Sequence, residues 1–157
     1  MDIKKIVKVT SAVGGIIFIV IQSIQPNREN PLFDPTMTMQ ADLKMPANIG
    51  QLLERGCKDC HSDQTTWPFY SYIAPVSWLV SHDVMEGRKN FNMSEWGKYK
   101  PGKKIQKLTG IYEALSDRSM PLPKYIPLHP AANFSDAERD TLARWAQSQA
   151  EKMLGGE

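Results

Sequence analysis

Cys57-Lys58-Asp59-Cys60-His61 is the stretch whose reading decides the fold. Two thiols three positions apart lie on one helical turn. At that spacing each can add to one vinyl group of a haem, and His61, next in the chain, then supplies a proximal nitrogen to the iron. Two covalent bonds and one metal bond would hold the cofactor within a single turn. Two other chemistries share part of the pattern. A redox dithiol prefers a βαβ context, and none is visible around Cys57. A zinc site needs two further ligands, drawn from His82, His129 or carboxylates. The two cysteines are the only ones in the chain. A disulfide scaffold and a four-cysteine zinc site are therefore excluded. The expected cofactor is one covalently bound haem c, with His61 as iron ligand.

Upstream, Lys4, Lys5 and Lys8 precede an uncharged run at 9–24, VTSAVGGIIFIVIQSI. Lysines leading an apolar run make an export pattern. The run is slightly short of the roughly 20 residues that span a bilayer comfortably. A cleavage site after Ser23 would place Ile21 where a small residue is needed. Residues 1–24 therefore read as an uncleaved signal anchor, with a cleaved signal peptide and a buried core helix as alternatives. Lysines stay inside, so the rest is expected on the periplasmic side of a bacterial inner membrane, anchored by residues 6–24. Residues 25–46 contain Pro26, Pro31, Pro35 and Pro46. They read as a semi-rigid tether holding the domain away from the membrane.

The domain, residues 47–157, reads as all-α. Asn48 can cap a helix through Arg55 that sends Ile49, Leu52 and Leu53 to a core, with Gly56 ending it. Pro75 suits the start of a helix bearing Val76, Leu79, Val80 and Val84, with Gly87 as its stop. Ile105, Leu108, Ile111, Tyr112 and Leu115 predict a third helix over 103–117. Residues 119–130 hold four prolines and read as loop. Ser135 and Glu138 form a capping box ahead of Leu142, Trp145 and Ala146. A net charge of +2 gives no support to nucleic-acid binding.

A second iron ligand is expected at Met120, in Ser119-Met120-Pro121-Leu122-Pro123. Prolines stiffen the loop, and a thioether suits haem iron and raises its potential. The rivals are His82, Met85, Met93 and, most seriously, His129.

These residues resemble two groups of proteins. A helix leading into Cys57-x-x-Cys60-His61, a Met120-Pro121 loop and a closing helix with Ser135-x-x-Glu138 and Trp145 are similar to class I cytochromes c. Thr66-Trp67-Pro68-Phe69-Tyr70-Ser71, Ile73 to Trp78, Glu86-Gly87-Arg88, Phe91-Asn92, Ser94-Glu95-Trp96, Tyr125 and Leu128-His129-Pro130 resemble a bacterial family known as the haem-binding domain. That resemblance covers about residues 47–150 and implies a cytochrome c-like helical domain around one haem. The resemblance to class I cytochromes c implies a proline carbonyl, from Pro68 or preferably Pro75, on the other ring nitrogen of His61. The aromatics between Trp67 and Trp96, Trp78 among them, are expected to pack on the haem face, shield its edge, or simply fill core.

A His61/Met120 iron would have no open position, so the expected function is electron transfer, not catalysis. Lys98, Lys100, Lys103, Lys104 and Lys107 would steer docking to an acidic redox partner, or merely form a solvated face. The competing reading is a haem-based sensor or accessory subunit with a labile sixth ligand. A structural haem domain that anchors an assembly also stays open. The dihaem peroxidase pattern needs two attachment motifs, and this chain has one.

Overall fold

The capping box closes as expected. Ser135 N–H donates to Glu138 Oε2 at 2.8 Å, and Glu138 N–H donates back to Ser135 Oγ at 3.3 Å. It opens α7 (Asp136–Gly155) in the computed structural model, which describes residues 2–155. Before it in chain order come α1 (Ile3–Ile21), α2 (Met39–Asp42), α3 (Ala47–Gly56), α4 (Lys58–His61), α5 (Val76–Asn90) and α6 (Pro101–Ser116). Short 3₁₀ turns join them, and no strand occurs among the described residues. The architecture is all-α, as the periodicity requires.

The core gathers where α3, α6 and α7 meet. Ile49, Leu52 and Leu53 from α3 pack with Leu108 and Leu115 from α6 and Leu142, Ala143, Ala146 and Ala150 from α7. Phe91, Met93, Trp96 and Phe134 complete it from the connecting segments. Each large apolar side chain so buried contributes about 1.5–3 kcal/mol. Gly56 lets the Phe134 ring lie directly on the α3 backbone, where a Cβ would enter the ring. Arg55 pairs with Glu138 beside it, joining α3 to the start of α7.

Three boundaries differ from the sequence expectation. Pro46, not Asn48, stands at the cap of α3, without a side-chain hydrogen bond. Helix α6 starts at Pro101, whose ring suits a first helical turn. Gly87 does not stop α5, which runs on to Asn90.

Residues 25–46, expected as a tether holding the domain away, instead pack on the domain, and so do Gln22 and Ile24 just before them. Gln22 Oε1 accepts from Ala74 N–H at 2.9 Å, and its Nε2 donates to the Ala74 carbonyl at 3.1 Å. Trp78 Nε1–H donates to the Ile24 carbonyl at 2.6 Å. Ser81 Oγ donates to the Asn27 carbonyl at 3.2 Å. Arg28 stacks on the Tyr72 ring at 4.4 Å. Met39 is fully buried in the core. The prolines leave backbone groups unpaired within the segment, and the domain surface supplies the partners.

Asp42 ties this segment to the rest. Its Oδ2 accepts from Trp96 Nε1–H at 2.8 Å and from Lys104 Nζ at 2.7 Å. The Lys104 bond, ahead of the smaller opposing effect of burial, holds the Asp42 carboxyl below its usual range. A carboxyl whose value drops on folding stabilises the fold fully above its unfolded value. That stabilisation is lost as pH falls through the lower folded value. Asp42→Asn should therefore lower the thermal midpoint at about pH 6 more than at about pH 3, which a melting series across that range reads directly.

Helix α1 presents its apolar side chains outward. None of its residues is buried; Ile16 is 62% and Ile19 70% exposed. The buried core helix considered for this segment is thus overturned. No helix among the described residues is long and apolar enough to cross a membrane. Lys4, Lys5 and Lys8 occupy the first two turns of α1. Its uncharged remainder rises only about 20 Å, against about 30 Å of hydrocarbon.

Candidate functional site

Helix α4 is a single turn that begins where α3 ends. Cys57 N–H donates to the Leu53 carbonyl at 2.9 Å, and His61 N–H donates to the Cys57 carbonyl at 2.9 Å. That turn brings Cys57, Cys60 and His61 to one wall of a cavity of about 570 Å³. Leu53 and Phe91 line it beside them. Gln106, Lys107, Gly110 and Ile111 come from α6. Met120, Pro121, Leu122 and Tyr125 come from the loop after α6. A volume in the range of 300–1,000 Å³ with a mostly apolar lining is that of a cofactor site.

The ring of His61 is oriented by α5. Its Nδ1 lies 3.0 Å from the Gly87 carbonyl and 3.0 Å from the Phe91 carbonyl. An Nδ1–H shared between two carbonyls leaves Nε2 as the ring nitrogen free for a metal. Burial, ahead of the opposing effect of those two hydrogen bonds, pushes the His61 value down. The imidazole is thereby kept neutral, as a metal ligand must be.

These carbonyls replace the expected proline. The Pro75 carbonyl accepts from Trp78 N–H at 3.1 Å, and the Pro68 carbonyl from Ser71 N–H at 2.9 Å. Both prolines lie before α5, whereas the helix reaches His61 only through its last turn. Gly87 makes that approach possible. A Cβ on it would overlap the Cys60 carbonyl oxygen and stand 3.0 Å from the carbonyl carbon. The glycine read as a helix stop is instead the contact between α5 and α4. Gly102 and Gly110 also lie within a helix and face open space, so the glycine alone did not mark this contact in the sequence.

The segment following His61 is held by a buried polar network that sequence reasoning did not find. Arg88 Nε donates to the Ser62 carbonyl at 2.8 Å. Its Nη2 donates to Thr65 Oγ1 at 2.9 Å and Asn30 Oδ1 at 2.8 Å. Asp63 is buried, accepts from Asn92 Nδ2 at 2.9 Å, and lies 3.7 Å from Arg88 Nε. Asp63 N–H donates to Ser94 Oγ at 3.0 Å. Inside the motif, Asp59 accepts from Thr66 N–H at 2.9 Å and from Tyr125 Oη at 3.1 Å. Tyr125 rises far above the usual phenol range, chiefly through burial and then through Asp59.

Met120 lines the same cavity as His61. Its N–H donates to the Ala114 carbonyl at 3.1 Å, and its carbonyl accepts from Arg139 Nη1 at 2.6 Å. Arg139 is buried on α7, so the methionine loop is fastened to the core. The rivals lie elsewhere. His129 stacks on Tyr125 at 3.7 Å, with Nε2 3.1 Å from Tyr70 Oη and Nδ1 3.1 Å from the Tyr125 carbonyl. The His82 side chain is exposed beside Asp83. Met85 is exposed, and Met93 is core. Trp78 does not line the cavity; it sits at the surface against Ile24.

The thiols are suited to a buried cofactor, not to exchange chemistry. Burial, followed by the Cys60 charge, pushes Cys57 up to about 12. Burial, followed by Asp59, pushes Cys60 up to about 11. Reactive dithiols carry lowered values. Among the described residues no three His, Cys, Asp or Glu side chains are grouped to hold a metal ion. That arrangement leaves the zinc reading without its further ligands. An apolar cavity, a neutral oriented imidazole and two thiols on its wall fit a haem.

Comparison with known proteins agrees. Cytochrome c peroxidase Ccp of Escherichia coli (strain K12) is 31% identical over 105 residues, 64% of this chain and 22% of that protein. The chain thus spans about a fifth of the length of that relative. No solved structure matches. A family model described as "Haem-binding domain" matches residues 16–148. The chain belongs to the haem-binding domain family.

Proposed function

We propose that this protein is an exported, membrane-attached electron-transfer protein carrying one haem c, with His61 and Met120 as iron ligands. The observation that carries the reading is that Cys57, Cys60, His61 and Met120 all line one cavity. When bound there, haem supplies a one-electron couple. The chain's own residues hold it and set its surroundings. Cys57 and Cys60 attach it, the Gly87 and Phe91 carbonyls orient His61, and Arg139 steadies the Met120 loop. Leu53 from α3 and Ile111, Ala114 and Leu115 from α6 give the cavity an apolar wall for the haem to lie against. No side chain in this arrangement is assigned to bond-making chemistry, so the protein is read as a carrier, not an enzyme.

The basic segment supports docking to an acidic partner. Lys98 pairs with Glu95 and Lys104 with Asp42. Lys100, Lys103 and Lys107 have no ion-pair partner among the described residues, and Lys107 lines the cavity. Free charge beside a redox centre speeds encounter more than it strengthens binding. The relative named as a peroxidase resembles this chain over about a fifth of its length. That favours, as a second reading, a haem module serving a catalytic unit with a labile sixth position.

Spectra of the haem-loaded chain decide between the two. The ferric protein should show the near-red charge-transfer band of methionine ligation, and Met120→Ala should lose it and bind carbon monoxide when reduced. A wild type that lacks the band and takes up carbon monoxide readily would sink the His61/Met120 reading in favour of the labile site.

A further inference from the structure

Between Thr66 and His82 the sequence TWPFYSYIAPVSWLVSH holds no acidic residue, lysine or arginine. It folds into the turn Phe69–Tyr72 and the first turns of α5. Much of its apolar surface stays uncovered: Phe69 is 79% exposed, Tyr72 53%, Leu79 48% and Trp78 37%, with Ile73 and Val76 alongside. Single exposed apolar residues are ordinary, but six within eleven consecutive positions, three of them aromatic, are not. The one charge stacked on it is positive, the Arg28 guanidinium over Tyr72.

This face lies at the foot of α1. The helix ends at Ile21, and Gln22, the next residue, is bonded to both backbone groups of Ala74. Trp78 holds Ile24 in turn. No free linker separates α1 from the domain. Whatever surface covers the outward apolar side chains of α1 therefore reaches the face around Ala74 as well. The uncharged part of α1 is short for a bilayer, and a short span draws what flanks it toward the lipid. Tryptophan and tyrosine favour the headgroup layer, where a ring sits in apolar surroundings and its polar edge meets water.

We infer that the face formed by Phe69, Tyr72, Ile73, Val76, Trp78 and Leu79 rests on the lipid headgroup layer at the end of α1, so that the domain lies on the membrane in one orientation. The inference rests on the reading of α1 as a membrane attachment. A domain held in this way presents its cavity to partners from a set direction, where a domain on a free tether would tumble.

The test uses the full haem-loaded chain in phosphatidylcholine vesicles containing a phospholipid with a photoactivatable diazirine in its headgroup region. Adducts are mapped by mass spectrometry after illumination. The expected result is labelling in residues 69–79 in addition to α1. Ile73→Glu with Leu79→Glu, which leaves the Trp78 bond to Ile24 in place, should reduce the labelling of 69–79 severalfold, leaving that of α1 and the haem spectrum unchanged. A second pair, Phe69→Ser with Val76→Ser, should act in the same direction. Adducts confined to α1 would overturn the proposal while leaving the attachment intact, and would point to a protein or to water on this face. Failure of the chain to sediment with the vesicles, with no adducts anywhere, would overturn the attachment and the proposal together.

Discussion

Replacing Cys57 and Cys60 together by alanine should abolish retention of haem by the denatured polypeptide. In the wild type, haem should stay with the chain through denaturation and gel electrophoresis, because thioether bonds survive the loss of every noncovalent contact. In the double variant nothing but the His61–iron bond and apolar contact would hold it, and both end when the cavity unfolds. The effect is all-or-none on the denatured chain, read by haem stain. Both cysteines are only partly buried at the cavity wall, so their removal costs only modest packing in the folded protein. Haem that stayed with the denatured double variant would refute covalent attachment through these two residues. Single variants should keep haem through the remaining thioether, with an altered spectrum.

Gly87→Ala should be the most damaging single substitution that adds only a methyl group. The new Cβ meets backbone, the Cys60 carbonyl, and backbone cannot turn aside as a flexible side chain can. Overpacking of this kind costs about 1–3 kcal/mol. The larger consequence is local. Moving α5 away from α4 withdraws the Gly87 and Phe91 carbonyls from His61 Nδ1. The imidazole would then lose its fixed orientation, a kind of change that typically costs 10–100-fold in metal affinity or activity. Thermal melting and the haem spectrum of Gly87→Ala should both change. Gly102→Ala, at an open position in α6, should change neither. Equal behaviour of the two variants would refute the close-contact role.

The chemistry of the site was legible because it is local. Cys57, Cys60 and His61 lie within one turn, so their spacing already implies their geometry. The place of Met120 on the cavity was legible for a related reason, since the prolines that follow it at 121 and 123 keep it off a helix face. The partners of His61 were not legible. They are main-chain carbonyls, which every residue has, and only the path of α5 selects Gly87 and Phe91. The resemblance to cytochromes c pointed to a proline, and Pro75 stands one helix length too early to serve. Trp78 was misplaced for the same reason. An aromatic near a cofactor motif in sequence is free to face the surface instead, and here it holds Ile24.

The amino-acid sequence by itself determined the cofactor class, the all-α class, the capping box at Ser135 and the uncharged apolar run of residues 9–24. Each of these depends on residues within a few positions of one another, where backbone geometry leaves little choice. Tertiary structure alone decided that Gly87 is a contact and not a stop, that Asp63, Arg88 and Asn92 form one buried network, and that residues 22–46 pack on the domain. Those outcomes turn on groups brought together across tens of residues. The prolines of 25–46 leave most of the segment irregular, although the single-turn helix α2 forms between Pro35 and Pro46. An irregular chain still needs partners for its backbone and apolar side chains, and the nearest surface able to supply them is the domain that follows.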